Sequence, residues 1–226
     1  MRIAVLGSGL MGSALGKLFA HGGHQVAFSY SRDQAKLDAL AREAGKSAIV
    51  AAPDAAVSAS EIVLVSVPWH RIDDALRAAG GPGAFTNKVV LTCSLPMLPD
   101  DSDLALAHHT SGAEELARRL PTAGIVAAFN TIPSEVLRVE LIAAAIERSG
   151  RPHVVMCGDN HDAKLLVSRL AGDIGFHAID AGSLRVARWM EPFGLLVGQL
   201  AYAQELGPEL AYRFIDRTQL NDAAQS

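Results

Sequence analysis

Three glycines near the start of the chain have the spacing of a turn that binds a dinucleotide. Gly7, Gly9 and Gly12 directly follow a short apolar run and precede a helix-forming stretch. In such a turn the first glycine permits the tight bend, the second lets the backbone approach a pyrophosphate, and the third lets the helix pack on the strand. The alternative is a glycine-rich turn that binds nothing. We predict nucleotide contacts from the whole loop, which comprises Gly7, Ser8, Gly9, Leu10, Met11 and Gly12.

The end of the second predicted strand, residues 24–30, indicates which dinucleotide binds. It lacks the carboxylate that would accept hydrogen bonds from the ribose hydroxyls of NAD. Ser31 and Arg32 stand there instead, with Lys36 one turn into the next predicted helix. An arginine guanidinium matches phosphate geometry in a bidentate way, so this pattern favours a ribose 2′-phosphate and predicts NADP(H) as the cofactor. Alternatively, Ser31 only caps the helix that begins near Asp33, and the two cations are solvated.

The composition argues against several other classes of protein. The chain has 226 residues, of which 50% are hydrophobic, and a formal net charge of -4, so no basic field indicates nucleic acid. No apolar run reaches membrane-spanning length and no signal peptide is evident, so we expect a cytoplasmic protein without a membrane partner. Cys93 and Cys157 lack metal-ligand spacing and are predicted to be buried, reduced thiols. No metal site is predicted.

Strand-like and helical stretches alternate through the first two thirds of the chain. This alternation predicts an α/β fold, a Rossmann-type doubly wound and mainly parallel sheet, with as many as eight strands ending at Asp180. The segment from Leu184 to about Leu220 has a helical pattern, interrupted at Pro192. We therefore predict an NADP-binding domain over residues 1–183 and a small helical C-terminal domain over residues 184–226 that forms part of an acceptor cleft.

Residues that directly follow strands are the candidates for the rest of the site, because ligands of open parallel sheets lie beyond the carboxyl ends of the strands. Val67, Pro68 and Trp69 follow the fourth strand and are predicted to frame a nicotinamide ring, although Trp69 could instead pack between domains. No residue is assigned a certain catalytic role. The residues predicted to position an acceptor ring follow the sixth and eighth strands and are Asn130, Thr131, Ile132, Gly182 and Ser183.

Beyond these single residues, the chain resembles the NADPH-dependent reductases of the deazaflavin coenzyme F-420, the coenzyme F-420:NADP oxidoreductase family. The resemblance extends over essentially the whole chain. It implies hydride transfer between NADP(H) and coenzyme F-420 or a flavin-like acceptor, and it suggests a homodimer. Asn130 departs from the family, whose deazaflavin-using members tend to have a histidine there. The segments that carry the resemblance are residues 7–12, Ser31-Arg32 with Lys36, and residues 67–69, 127–133, 155–159 and 180–183.

Two other functions are compatible with the same motifs. One is an NADPH-dependent reductase whose small-molecule acceptor is a flavin, a ferric complex, a quinone or an imine, since several motifs are also similar to the cytosolic reductase domains of membrane ferric reductases. The other is a non-catalytic NADP-binding sensor whose C-terminal segment serves as an interaction surface. Reduction of an acceptor distinguishes the enzymes from the sensor.

Overall fold

The computed structural model describes residues 1–215, in which strands and helices alternate as predicted. The strands in this part of the chain are β1 (Arg2–Leu6), β2 (Gln25–Ser29), β3 (Ala48–Val50), β4 (Ile62–Val65), β5 (Val89–Thr92), β6 (Gly124–Ala128), β7 (His153–Gly158) and β8 (His177–Asp180). The α-helices are α1 (Leu10–His21), α2 (Gln34–Ala44), α3 (Pro53–Ala59), α4 (Ile72–Ala78), α5 (Gly112–Arg119), α6 (Val139–Ser149), α7 (His161–Asp173) and α8 (Ala187–Tyr202). None of these helices is both long and apolar enough to cross a lipid bilayer.

All eight strands form one sheet in the order β3-β2-β1-β4-β5-β6-β7-β8. The strands β1 to β6 run parallel to one another, and the chain reverses its direction of sheet growth between β1 and β4. Such a switch point opens a crevice at the carboxyl ends of the strands, where ligands bind. The predicted Rossmann-type, doubly wound fold is confirmed.

The last two strands run in the opposite direction. β7 pairs antiparallel with β6, and β8 pairs parallel with β7. β8 therefore runs opposite to β1–β6, and its last residue, Asp180, lies level with Met156 of β7 and, through it, with Ala128 at the end of β6. This reversal was not predicted from the sequence.

Helices cover both faces of the sheet, and this explains why its strands are continuous apolar runs. In β1, Ile3 and Val5 are buried against the face covered by α1, α2, α6 and α7. The alternating residues Ala4 and Leu6 are buried against the opposite face, which α3, α4, α5 and α8 cover. A central parallel strand has no solvent face, so both sets of side chains must be apolar.

The C-terminal segment is helical only in part. After α8, residues 203–215 have no helix, and their backbone reaches the sheet, where the His153 N–H donates to the Tyr212 carbonyl oxygen at 2.9 Å. The predicted helical pattern up to about residue 220 is therefore wrong for residues 203–215, while residues 216–226 lie outside the described part of the chain. Ala187 and Met190 of α8 share the core formed by α3, α4 and α5.

The two cysteines are buried and unpaired with each other, as predicted. Burial raises the pKa of both the Cys93 and the Cys157 thiol to about 12. A thiol with such a pKa is almost entirely protonated near neutral pH and is a poor nucleophile. Both side chains therefore contribute packing to the core.

Candidate functional site

The glycine loop lies at the switch point between β1 and β4. The structural reason for glycine differs at each of its three positions. Gly7 has a φ of +118°, and a Cβ there would lie 2.5 Å from the Ser66 carbonyl oxygen. A Cβ on Gly12 would lie 2.1 Å from the Gly7 carbonyl oxygen, so this glycine lets α1 pack against the turn. A Cβ on Gly9 would have nothing within 4 Å. The space beside Gly9 is therefore open for the approach of a ligand.

The N-terminus of α1 is also available to a ligand. Gly9 is the capping residue and has no side chain to accept the first N–H groups of the helix. Free N–H groups and the positive end of the helix dipole favour an anion. This arrangement fits the pyrophosphate of a dinucleotide.

A cavity of about 760 Å³ connects this loop with the end of β2. We call it the glycine-loop cavity; its lining includes Gly7, Ser8, Gly9, Ser31, Arg32, Lys36 and Arg71. Arg32 and Lys36 form no ion pair with any carboxylate of residues 1–215, so their charges are available to a phosphate. The structure thus brings together the residues predicted to bind a 2′-phosphate.

The cap of α2 is Asp33 rather than Ser31. The Asp33 carboxylate accepts the backbone N–H of Lys36 at 3.1 Å. The Ser31 hydroxyl accepts the backbone N–H of Asp33 at 3.1 Å, which orders the turn before the helix. The alternative in which Ser31 serves only as the helix cap is therefore wrong.

A third cation, not predicted from the sequence, lines this cavity. Arg71 ends the short turn Trp69–Arg71 after β4, which lies on the other side of β1 from the strand that precedes Arg32. Its guanidinium forms an ion pair with Asp74 at 3.4 Å. The sequence signal was a basic residue shortly after a buried strand, which alone does not distinguish a ligand contact from a solvated charge.

A second cavity, of about 510 Å³, adjoins the first. We call it the α8 cavity because Gly194, Val197 and Gly198 of α8 form one wall. Most of the remaining lining is apolar and includes Leu10, Met11, Trp69, Leu95, Met97, Leu98 and Ile132. The residues that line both cavities are Gly9, Ser66, Val67, Pro68 and His70. The two cavities are therefore parts of one groove.

Asn130 is the unusual polar group of the α8 cavity. Only 7% of the residue is exposed, and neither amide atom, Nδ2 or Oδ1, has a hydrogen-bond partner among the described residues. A buried polar group without a partner costs about 1–3 kcal/mol. Asn130 is among the residues that line the cavity, while both of its amide atoms are shielded from solvent.

The backbone before Asn130 is strained in a way that fixes this loop. Phe129 has a φ of +65°, which an L-residue rarely adopts. Its buried ring packs edge-on against Phe19 and Phe176, with centroid distances of 6.5 and 5.7 Å. On the other side, a Cβ on Gly194 would lie 2.5 Å from the Asn130 carbonyl oxygen. The aromatic packing and α8 thus hold the position of Asn130.

Three residues predicted to position an acceptor lie elsewhere. Thr131 is fully buried, and its hydroxyl forms a 2.6 Å hydrogen bond with the hydroxyl of Tyr212. Gly182 and Ser183 follow β8, which is antiparallel to β1–β6, and neither residue lines the α8 cavity or the glycine-loop cavity. Instead, the Gly182 carbonyl oxygen accepts the N–H of Gly158 at the end of β7. These placements correct the prediction for the three residues, whereas Ile132 does line the α8 cavity.

A buried carboxylate, also missed from sequence, anchors α8. Glu191 is 1% exposed and accepts the backbone N–H groups of Gly112 and Ala113, at 2.9 and 3.0 Å, at the N-terminus of α5. Burial raises the pKa of Glu191 to about 7, although both hydrogen bonds lower it, and the nearby Glu114 raises it further. One wall of the α8 cavity is therefore attached through a group that titrates near neutral pH.

Fold and site together define a class of protein. A doubly wound sheet, an uncapped helix beside an open glycine and two unpaired cations are the features of a Rossmann-type dinucleotide-binding protein. Residues 2–96 match the model of the family described as NADP oxidoreductase, coenzyme F-420-dependent. This match covers the first part of the chain and agrees with the resemblance inferred from the motifs.

Three further proteins are similar to this chain in sequence or in fold. The rat metalloreductase STEAP3 is 29% identical over 194 residues, which are 86% of this chain and 36% of the relative. This chain therefore spans about a third of that relative's length. A candidate coenzyme F-420-dependent NADP reductase from Arthrobacter sp. FB24 superposes with a TM-score of 0.81 at 22% identity, covering 96% of this chain and 100% of the other. An imine reductase from Streptomyces aurantiacus superposes with a TM-score of 0.62 at 19% identity, covering 88% of this chain and 62% of the other.

Proposed function

We propose that this protein transfers a hydride between NADP(H) in the glycine-loop cavity and a flavin-like ring in the α8 cavity, with the deazaflavin coenzyme F-420 as the leading acceptor. The observation that carries this proposal is the unpaired, buried amide of Asn130, a residue that lines an apolar cavity continuous with the nucleotide cavity. The family match of residues 2–96 supports NADP(H) as the nucleotide.

The nucleotide half of the groove supplies binding and orientation. The N–H groups at the start of α1 hold the pyrophosphate, and Arg32 and Lys36 hold the ribose 2′-phosphate. Val67 and Pro68 line both cavities and so direct the nicotinamide end toward the α8 cavity. When bound, NADPH supplies the hydride, so the chain needs no covalent nucleophile.

The acceptor half supplies a specific polar contact within apolar walls. The Asn130 side chain offers one donor, Nδ2, and one acceptor, Oδ1, side by side. The imide edge of a flavin or deazaflavin carries the complementary pair of groups. A hydrogen bond from Nδ2 to a ring carbonyl becomes stronger as negative charge develops there during reduction. The apolar lining excludes water from the reacting faces.

Absorbance measurements with purified protein, NADPH and one acceptor at a time test this proposal. We expect reduction of coenzyme F-420, or of FMN or riboflavin. Asn130→Ala should lower kcat/KM for that acceptor about tenfold or more, because the polar contact is lost. The control is Gln199→Ala, on the exposed face of α8, which should leave kcat/KM unchanged.

Different failures of this experiment have different meanings. Tight binding of NADPH without reduction of any acceptor refutes the enzyme and favours a sensor. Preferential reduction of a ferric complex or a cyclic imine refutes the flavin-like acceptor but retains the oxidoreductase. Equal activity of the Asn130→Ala and wild-type proteins refutes the role of the amide.

A further inference from the structure

Arg71 lines the glycine-loop cavity from the β4 side, whereas Arg32 and Lys36 line it from the β2 side. Its side chain is 38% exposed and lines the glycine-loop cavity together with Arg32 and Lys36. The turn that carries it is ordered, since the Arg71 backbone N–H donates to the Pro68 carbonyl oxygen at 2.8 Å. The guanidinium is therefore presented to the cavity from a defined position.

The charge of Arg71 is compensated, unlike that of the other two cations. Asp74 pairs with Arg71 at 3.4 Å and with Arg77 at 3.2 Å. Within residues 1–215, Arg32 and Lys36 have no such carboxylate. A compensated guanidinium attracts a phosphate weakly, but its planar face remains able to stack on an aromatic ring. The chemistry of Arg71 therefore suits a heterocycle better than an anion.

A tyrosine at the end of β2 bridges the two walls. The Tyr30 hydroxyl donates to the Asp74 carboxylate at 2.8 Å. Burial and the neighbouring carboxylate raise the pKa of Tyr30, so the hydroxyl remains a donor. Tyr30 also has a φ of +58°, a conformation that costs an L-residue about 1–2 kcal/mol. Such strain often occurs at binding sites, and here it accompanies the contact that fixes Asp74 and, through it, Arg71.

We propose that Arg71 is a nucleotide-binding residue that stacks its guanidinium plane on the adenine ring, while Arg32 and Lys36 read the 2′-phosphate. This inference rests on the proposed binding of NADP(H) in the glycine-loop cavity. It separates two functions within one cavity: general affinity for an adenine nucleotide comes from the β4 side, and selection of NADP over NAD comes from the β2 side.

Dissociation constants for NADPH, NADH, 2′,5′-ADP and 5′-ADP distinguish stacking from phosphate binding. Arg71→Ala should weaken all four by a similar factor of about five- to tenfold, because each contains adenine. Arg71→Lys should not restore affinity, since lysine keeps the charge but lacks the plane. Arg77→Ala is the matched control: it removes the other partner of Asp74, on a side chain that is 74% exposed, and should leave all four constants unchanged.

Three results would overturn the inference. Loss confined to NADPH and 2′,5′-ADP makes Arg71 a phosphate ligand, rescue by lysine makes its charge the important property, and unchanged affinity of Arg71→Ala removes it from the site. Thermal unfolding of each variant checks that the fold is intact. If the wild-type protein binds none of the four nucleotides, the proposed function itself fails, which is a different outcome.

Discussion

Replacing Glu191 with glutamine should remove a large part of the pH dependence of stability. In the unfolded chain this carboxyl has the ordinary glutamate pKa of 4.5, whereas burial raises the pKa to about 7 in the folded protein. The folded state therefore prefers the protonated form. The stabilisation is complete below pH 4.5 and is lost as the pH rises through about 7.

The size of this effect on the free energy of unfolding follows from the difference between the folded and unfolded pKa values of Glu191. Each pH unit between them is worth about 1.4 kcal/mol, so ionisation of Glu191 lowers the free energy of unfolding by about 3 kcal/mol. The two backbone N–H groups of α5 are already included in this balance, because they lower the pKa and burial still dominates. Glutamine does not titrate and carries no such change.

Urea unfolding of both proteins from about pH 4 to about pH 8 measures this difference. The wild type should lose about 3 kcal/mol relative to Glu191→Gln over that range. Comparing the two proteins cancels the opposite contributions of His24 and His153, whose pKa values burial lowers, so that they destabilise the fold as the pH falls. Glu147→Gln, on an exposed part of α6, is the control and should parallel the wild type. Parallel curves for Glu191→Gln would refute the reasoning.

Four further substitutions test other parts of the groove and of the fold around it. Arg32→Ala should weaken NADPH binding about tenfold or more and NADH binding much less, because a charge-assisted phosphate contact is lost; equal losses in titrations with the two nucleotides would contradict a 2′-phosphate site. Gly9→Ala should leave the melting temperature unchanged but weaken NADPH binding, since its Cβ contacts only open space, whereas Gly12→Ala should lower the melting temperature, since its Cβ would lie 2.1 Å from the Gly7 carbonyl oxygen. The opposite pattern would contradict the assigned roles. Thr131→Val should cost about 1 kcal/mol in urea unfolding through the lost bond to the C-terminal segment, with no change in KM for the acceptor; a raised KM would return this residue to the site.

Much of the nucleotide half of the groove was predictable, because the sequence patterns that indicate it depend on residues close together in the chain. The spacing of Gly7, Gly9 and Gly12 reports a turn whose geometry depends on a few neighbouring backbone atoms. Arg32 and Lys36 are placed by the same strand and helix that carry them, so a sequence pattern suffices to locate them. Continuous apolar runs likewise predicted strands buried on both faces.

The acceptor half of the groove was harder to predict, because it is formed by contacts between segments that are distant in the chain. An apolar strand has the same pattern in either direction, so the sequence could not show that β7 and β8 reverse. Gly182 and Ser183 were therefore predicted to lie at a cavity that neither of them lines. A glutamate in an amphipathic helix is normally predicted to lie on the solvent-exposed face. Glu191 is nevertheless buried, because its carboxylate accepts two backbone N–H groups at the N-terminus of α5. The unpaired amide of Asn130 is equally invisible in sequence, because its burial depends on how segments distant in the chain pack around it. Local backbone geometry was thus determined by sequence, whereas strand direction and burial of polar groups were decided by tertiary packing, which joins residues far apart in the chain.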